Sequence, residues 1–241
     1  MGRRAAAIIT ILFGSVLGAG HAAACGPPEA MPQTAVIAET RPDGTFRLAD
    51  GREGKLAGVT LAEEAGAPFR ALAAGRPFPL RSVGRPDRWG RQAFHADGLE
   101  QMLLRHGLGH AAARAPGACL APLLRAESEA RAAKQGIWAR PGHVLSASDG
   151  AVLRQRLGHH ILAEGKVVSA RSFRGRVYLN FARYWKTGLS LIIAEKQWPM
   201  FSGNVAAEEI VGKRLRARGW LDWRGGPVIV AGPDERIELA E

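Results

Sequence analysis

The chain has 241 residues, of which 46% are hydrophobic, so it is long enough to bury one large core or two small ones. This composition excludes a mostly disordered chain. Lys and Arg outnumber Asp and Glu by 33 to 22, and the net charge of +11 favours polyanionic partners such as nucleic acid, anionic lipid or acidic polysaccharide. Charge alone identifies no partner, because arginine-rich proteomes also contain basic proteins without one.

Residues 1–24 have the pattern of a signal peptide. Residues 1–4 are basic, residues 5–18 are apolar and small, and Ala22-Ala23-Ala24 offers a cleavage site of the A-x-A kind. The apolar run is shorter than the ~20 residues that a membrane-spanning helix needs. We therefore expect an exported protein, periplasmic or secreted, with no transmembrane span in the mature chain. A retained membrane anchor is the alternative.

The two cysteines of the chain are Cys25 and Cys119. In an exported protein an even number of cysteines indicates a disulfide, here between Cys25 and Cys119. Because Cys25 lies at the expected cleavage point, it could instead be a lipidated first residue. Lipidation usually requires an aliphatic residue three positions earlier, where this chain has Ala22, so we favour the disulfide. Residues 25–33 contain three prolines and are predicted to form an extended leader.

Residues 34–140 alternate short strands, tight turns and helices. The turn sequences are Pro42-Asp43-Gly44, Asp50-Gly51 and Asp97-Gly98. Strands are predicted at 35–38, 45–48, 54–59, 76–81 and 92–95, and helices at 65–74, 99–106 and 120–136. This pattern predicts an α+β fold, mainly β with helices, built on a five-stranded OB-fold barrel.

Residues 141–153 are rich in Pro, Gly and Ser and are predicted to be a linker. After it, residues 154–241 are dominated by strands separated by glycine turns. The predicted strands are 161–169, 176–181, 189–194, 214–221 and 228–230. They favour a small second β-barrel domain.

Three motifs of the first domain occur in a characteristic order. They are Gly44-Thr-Phe-Arg-Leu-Ala-Asp-Gly51, Lys55-Leu-Ala-Gly-Val-Thr-Leu-Ala-Glu63 and Arg85-Pro-Asp-Arg-Trp-Gly-Arg91, followed near the end of the domain by Gly136-Ile-Trp138. Together they resemble the staphylococcal-nuclease-like (thermonuclease) family over about residues 36–138. The resemblance implies an OB-fold barrel with three helices and a calcium-dependent endonuclease acting on DNA or RNA.

The resemblance also implies roles for individual residues. Lys55 stands at the position of the first family arginine and Arg91 at that of the second, and both would stabilise negative charge on the phosphate. Glu63 matches the glutamate that orients or deprotonates the attacking water. Gly44 and Thr60 replace the two aspartates that bind the metal, which leaves Asp43 as the candidate ligand. This set would hold calcium poorly, since affinity follows the charge of the ligands.

We therefore interpret the chain as an exported protein of the thermonuclease family with a degraded metal site and weak or lost phosphodiester hydrolysis. The alternative is a non-catalytic, basic OB-fold module that binds nucleic acid or another polyanion in the envelope. A purely structural envelope protein is a third interpretation. The sequence leaves open whether the chain is an enzyme, whether it prefers DNA or RNA, and its oligomeric state.

Two weaker signals concern histidines and tryptophans. His106, His110, His159 and His160 are interpreted as structural or solvated, because zinc needs three or four ligands in one place. Basic residues alternate with tryptophans in the second domain and could form a groove for single strands. The same pattern is typical of a small core under an arginine-rich surface. The tryptophans are Trp185, Trp198, Trp220 and Trp223.

Overall fold

The computed structural model describes residues 33–41, 43–112, 117–202, 205–232 and 236–240. The first part of this described chain contains seven strands and three helices. They are β1 (Gln33–Thr40), β2 (Thr45–Leu48), β3 (Glu53–Leu56), β4 (Val59–Leu61), α1 (Gly66–Ala73), β5 (Pro77–Val83), β6 (Gln92–Ala96), α2 (Leu99–Arg105), β7 (Gly109–Ala111) and α3 (Gly117–Ala132). The predicted signal peptide, the leader and Cys25 lie outside the described residues. The disulfide to Cys119 therefore stays a prediction.

Five of these strands close a barrel in the order β1-β2-β3-β6-β5. Strands β3 and β6 pair in parallel, and the other neighbours pair antiparallel. The barrel encloses large apolar side chains, including Ile37, Phe46, Phe69, Phe94 and Leu103, all fully buried. The closed five-stranded barrel with helices confirms the predicted OB-like α+β fold.

Gly54 allows β3 to pack closely against this core. A Cβ atom at Gly54 would lie 2.6 Å from the ring of Phe46 and 2.9 Å from the ring of Phe94, so only glycine fits between the two rings. Side chains alternate along a strand, and the next residue, Lys55, therefore faces away from the core. The Lys55 side chain is 35% exposed.

A smaller core lies between α3 and the antiparallel pair of β4 and β7. It contains Val59, Leu104, Ala111 and Leu123, and Cys119 is buried in the same cluster. Helix α3 has 16 residues. Within the described part of the chain, no helix has the length and apolar character needed to cross a membrane.

The second part of the described chain contains nine strands and two helices. They are β8 (Val144–Ser146), α4 (Gly150–Arg154), β9 (His160–Lys166), β10 (Ser169–Phe173), β11 (Arg176–Asn180), β12 (Ser190–Ala194), α5 (Trp198–Ser202), β13 (Arg214–Trp220), β14 (Asp222–Trp223), β15 (Pro227–Ala231) and β16 (Arg236–Leu239). The range 141–153, which the sequence predicts to be a linker, contains β8 and α4. The predicted domain boundaries stay predictions.

The strands of the second part form two open sheets. One has the order β10-β11-β12-β15-β14, and the other has the order β16-β13-β9-β8. Neither sheet closes among the described residues, so the predicted small second barrel is not found there. The run 161–169, predicted as one strand, divides into β9 and β10, which belong to different sheets. Alternation of apolar and polar residues identifies strands. Whether a sheet closes into a barrel depends instead on which edge strands pair, and tertiary packing decides that pairing.

A buried ion pair joins the two parts of the chain. Arg218 in β13 donates from Nη1 and Nη2 to the two carboxylate oxygens of Glu127 in α3, each at 2.7 Å. The side chains of this pair are 1% and 2% exposed. Glu127 also accepts the backbone N–H of Ala111 at 2.8 Å, and Arg218 donates from Nε to Glu238 at 2.8 Å. The charges are thus paired and hydrogen-bonded, as burial demands.

Candidate functional site

The loop between β5 and β6 is organised by the carboxylate of Asp87. Its Oδ1 accepts the backbone N–H groups of Trp89 and Arg91, both at 3.0 Å. Its Oδ2 accepts Lys55 Nζ at 3.1 Å and Arg91 Nε at 3.0 Å. Burial alone would raise the pKa of Asp87, but the hydrogen bonds from Lys55, Arg91 and the backbone outweigh it and hold that pKa well below its ordinary value. Asp87 is therefore a carboxylate anion that holds two cations.

The barrel brings Lys55 and Arg91 together because their strands are neighbours. In the parallel pairing of β3 and β6, Lys55 is opposite Ala93, two residues after Arg91. The side chains of Lys55 and Arg91 are 35% and 23% exposed, so both cations can be reached from solvent. The two residues that the sequence predicts to bind phosphate thus meet at one point.

An exposed aromatic ring lies beside these cations. Trp89 is 62% exposed. The guanidinium carbons of Arg88 and Arg91 lie 3.9 and 4.6 Å from the centre of a Trp89 ring, within cation–π distance. Arg85 and Arg88 are exposed in the same loop. We call this region the barrel loop; it comprises residues 84–91.

Asp43, the predicted metal ligand, is engaged within its own turn. Its Oδ1 accepts the backbone N–H of Thr45 at 3.0 Å and the hydroxyl of Thr45 at 2.6 Å. Burial raises the pKa of Asp43, but the hydrogen bonds from Thr45 and the charges of Arg91 and Arg41 lower it overall. Gly44 has φ of +80°, a backbone conformation that favours glycine.

Glu63 and Thr60 are directed towards the second part of the chain. The Glu63 side chain is 83% exposed and accepts Arg156 Nη1 at 3.3 Å. The Thr60 hydroxyl lies 3.3 Å from Nδ1 of His160. Glu63 belongs to a short 3₁₀ turn, Glu63–Ala65, that follows β4. The structure therefore brings Lys55 and Arg91 together but directs Glu63 to a different partner.

The calcium ion that the resemblance implies does not fit the residues at these positions. Calcium takes six to eight oxygen ligands, chiefly carboxylates. The oxygens of Asp43, Thr60 and Glu63 each contact a different partner, as described above. Within the described ranges, no three His, Cys, Asp or Glu side chains are grouped so that they could hold a metal ion.

Three histidines form a hydrogen-bonded row where the two parts of the chain meet. His110 lies in β7, between the other two rings. Its Nδ1 is 3.0 Å from Nε2 of His143, and its Nε2 is 3.0 Å from Nδ1 of His160. Burial lowers the pKa of His110 well below its ordinary value, and the neighbouring His160, His143 and Arg218 lower it further. Burial likewise lowers the pKa of His143. The rings of His110 and His143 are therefore neutral near pH 7.

Sequence reasoning missed several of these residues. Asp87 lies inside the quoted motif, and its spacing before Gly90 and Arg91 is a signal for a side chain that caps a turn. His143 was assigned to a linker, so nothing linked it to His110. Of the four tryptophans for which the sequence left a groove or a core open, Trp198 is buried and donates from Nε1 to the carbonyl oxygen of Val205 at 2.7 Å.

Comparisons with known proteins leave the family of the chain open. No protein-family model matches it, and no curated protein matches it. Among solved structures, the p204 HINb domain has a TM-score of 0.34 at 10% identity and covers 88% of this chain and 97% of its own. The tetrameric p202 HIN2 domain has a TM-score of 0.33 at 11% identity, with coverages of 90% and 99%.

A murine DNA-binding protein bound to double-stranded DNA has a TM-score of 0.31 at 11% identity, with coverages of 88% and 97%. TM-scores this low assign neither a family nor a partner to this chain. The description of the barrel as OB-like rests instead on its own strand order, β1-β2-β3-β6-β5.

Proposed function

We propose that this protein binds nucleic acid through the barrel loop and Lys55, without hydrolysing it. The observation that carries this proposal is the convergence of Lys55 and Arg91 on Asp87 beside the exposed ring of Trp89. Phosphate oxygens are bound well by guanidinium and ammonium groups, and unpaired bases stack on aromatic rings. The barrel loop offers both kinds of group side by side.

Asp87 prepares the cations for an anionic ligand. It fixes the side chains of Lys55 and Arg91 before a ligand arrives, which reduces the conformational entropy lost on binding. Two cations share this one carboxylate, so a net positive charge remains at the loop. A phosphate oxygen can therefore be held by groups that are already in position. Binding of this kind weakens as salt concentration rises.

The position of Glu63 supports binding rather than hydrolysis. Phosphodiester hydrolysis requires a carboxylate that positions or deprotonates the attacking water next to the bound phosphate. Glu63 is 83% exposed and contacts Arg156, whereas the cations converge on Asp87. Among the described residues, no three His, Cys, Asp or Glu side chains are grouped to hold a metal ion that would act as a Lewis acid on the phosphate. For these reasons we place hydrolysis second.

Binding is tested with a labelled single-stranded oligonucleotide and two pairs of variants. We expect Trp89→Ala to weaken binding by about 1–3 kcal/mol, because one stacked base is lost. The plot of log K against log salt has a negative slope. Arg88→Gln should make this slope shallower by about 0.7, the value for one phosphate contact.

The matched controls are Met200→Ala and Arg70→Gln, which remove an exposed apolar side chain and an exposed charge elsewhere. Equal losses in the variants and their controls would contradict the proposal. Absence of binding by the unmodified protein would overturn it outright.

Hydrolysis remains the second candidate because Lys55 and Arg91, the two residues matched to the family's phosphate-binding arginines, do meet. Its test is cleavage of single- and double-stranded DNA with Ca²⁺ or with a chelator. We expect no cleavage in either condition. Metal-dependent cleavage that disappears in Glu63→Ala would establish the chain as a nuclease instead.

The exported location follows from the sequence of residues 1–24, which lie outside the described residues. We infer that the protein acts outside the cytoplasm, where Cys25 and Cys119 would be oxidised to a disulfide. Mass spectrometry of the purified mature protein with and without reductant tests the cleavage site and the disulfide together. A lipid mass on Cys25 would support the alternative.

A further inference from the structure

A groove of about 530 Å³ lies between α4 and the connection from β11 to β12. Arg154 lines it from the side of α4, and Lys186 and Thr187 line it from the connection. The two walls approach closely at Gly150, where a Cβ atom would lie 2.5 Å from the carbonyl oxygen of Thr187. The groove is distinct from the barrel loop, and none of its lining residues belongs to the barrel.

Exposed aromatic rings lie next to two of the cations that line this groove, Arg154 and Lys186. The Arg154 guanidinium lies 4.5 Å from the centre of a Trp223 ring, and Trp223 is 38% exposed. Lys186 Nζ lies 5.8 Å from the ring of Tyr184 and 5.5 Å from that of Trp185. Tyr184 and Trp185 are 55% and 42% exposed.

The position of Trp185 is set by the glycine turn between β14 and β15. A Cβ atom at Gly225 would lie 3.1 Å from the Trp185 ring, and one at Gly226 would lie 3.3 Å from it. The six-membered ring of Trp185 therefore lies close to the backbone of this turn, which glycines make possible. A ring held in this way can accept a stacked base with little loss of conformational entropy.

The charges around the groove are mainly positive. Arg183 and Arg224 are exposed beside Tyr184 and Trp223 and add to Arg154 and Lys186. The carboxylate of Asp222 contacts Arg224 at 3.4 Å. Asp149 is occupied in capping α4, where it accepts the backbone N–H groups of Ala151 and Val152. The groove thus combines cations with aromatic faces, a combination that complements a phosphate backbone with unpaired bases.

We propose that this groove binds a single-stranded segment of nucleic acid, with bases on the rings of Trp223 and Trp185 and phosphates at Arg154 and Lys186. This inference rests on the proposed function and adds a second contact surface to it. A single strand fits better than a duplex, because the faces of paired bases are already stacked and cannot reach a side chain.

The experiment measures binding of a labelled oligothymidylate of roughly 12 nucleotides, within the usual site size of such surfaces. The groove variant combines Arg154→Gln with Lys186→Gln. Losing two phosphate contacts should make the negative slope of log K against log salt shallower by about 1.4. Trp223→Leu should weaken binding by roughly fivefold or more, through loss of one stacked base.

The matched control combines Arg171→Gln with Arg174→Asn on the hairpin between β10 and β11. These arginines flank the exposed ring of Phe173 at 5.2 and 5.0 Å, so the control removes the same charge beside an aromatic ring. The hairpin lies at the opposite end of β11 from Tyr184. Asn is chosen because Arg174 has φ of +49°, which Asn tolerates. The control should change binding less than twofold.

The outcomes separate this inference from the proposed function. If the unmodified protein binds and Trp89→Ala weakens binding, but the groove variant binds like the unmodified protein, the groove proposal is wrong and the barrel loop suffices. Equal losses in the groove and hairpin variants would show that net charge alone acts, which also overturns the groove. A duplex that competes as well as the single strand excludes stacking. No binding by the unmodified protein overturns both proposals.

Discussion

The chain contains two arginine–carboxylate clusters of similar chemistry in opposite environments. The Arg218–Glu127 pair is 1% and 2% exposed and joins β13 to α3. The Asp87 cluster has side chains that are between 18% and 35% exposed and lies at the rim of the barrel. The buried pair can stabilise the fold but cannot meet a ligand. The exposed cluster contributes little to stability and is available for binding.

The largest expected effect is the loss of the buried pair. Arg218→Ala leaves the carboxylate of Glu127 buried without its bidentate partner, which should lower the free energy of unfolding by about 3–5 kcal/mol. Urea denaturation followed by circular dichroism measures this loss. The matched control is Arg105→Ala, which removes an exposed pair with Glu129, 57% and 59% exposed, and should cost less than about 1 kcal/mol. If Arg218→Ala lowered the free energy of unfolding only slightly, the buried pair would not stabilise the fold more than the Asp87 cluster does.

Acid should weaken the same buried interface through the row of histidines. Burial lowers the pKa of His110 and of His143, whereas in the unfolded chain each has its ordinary pKa of about 6.5. Below that pH the unfolded chain binds protons that the folded chain does not, so stability depends on pH with a positive slope. The contribution is fully present above about pH 6.5 and is lost as the pH falls towards the lowered folded-state pKa values.

Urea denaturation between about pH 7.5 and pH 5.5, the range in which histidines titrate, measures this slope. Other charges face the row, namely Arg218, Glu127, Glu64 and Arg156. His143→Gln keeps hydrogen-bonding groups beside His110 but removes one titrating ring, so its slope should be shallower. His106→Gln, at an exposed histidine, is the control and should keep the original slope. An unchanged slope in His143→Gln would show that the row does not respond to pH.

The smallest expected effect concerns the exposed cluster. Asp87→Asn keeps an oxygen that accepts the N–H groups of Trp89 and Arg91 but removes the charge that holds Lys55 and Arg91. Stability should fall much less than in Arg218→Ala, because the Asp87 cluster is partly exposed to solvent. Affinity for an oligonucleotide should fall by roughly fivefold, because Lys55 and Arg91 are no longer held in position before the ligand binds. Glu127→Gln is the buried counterpart; it should destabilise the fold without lowering affinity.

An unchanged or higher affinity in Asp87→Asn would mean that Asp87 competes with the ligand for the cations rather than positions them for it. A loss of stability equal to that in Glu127→Gln would show that the two clusters play the same structural role.

Most of the barrel could be predicted from the sequence because the patterns that mark its strands, helices and turns lie between residues close together in the chain. Strand β2 and helix α2 were predicted within one or two residues, since alternation, helical spacing and turn pairs such as Asp50-Gly51 act over short distances. The pairing of Lys55 and Arg91 as phosphate ligands, which stays a prediction, came from the family resemblance. The direction of Glu63 did not, because it depends on Arg156, 93 residues away.

By itself, the sequence determined the approximate positions of the five barrel strands and three helices of the first part and the strongly basic charge, but not β7 or the division of the predicted strand 54–59 into β3 and β4. Only the tertiary structure decided that the second part forms open sheets, that β12 pairs in parallel with β15, that His143 joins His110, and that Arg218 reaches Glu127 across 91 residues. The physical reason is the distance along the chain over which each interaction acts. Turn and strand preferences act between near neighbours, whereas sheet edges and buried charges choose their partners only when distant elements pack together.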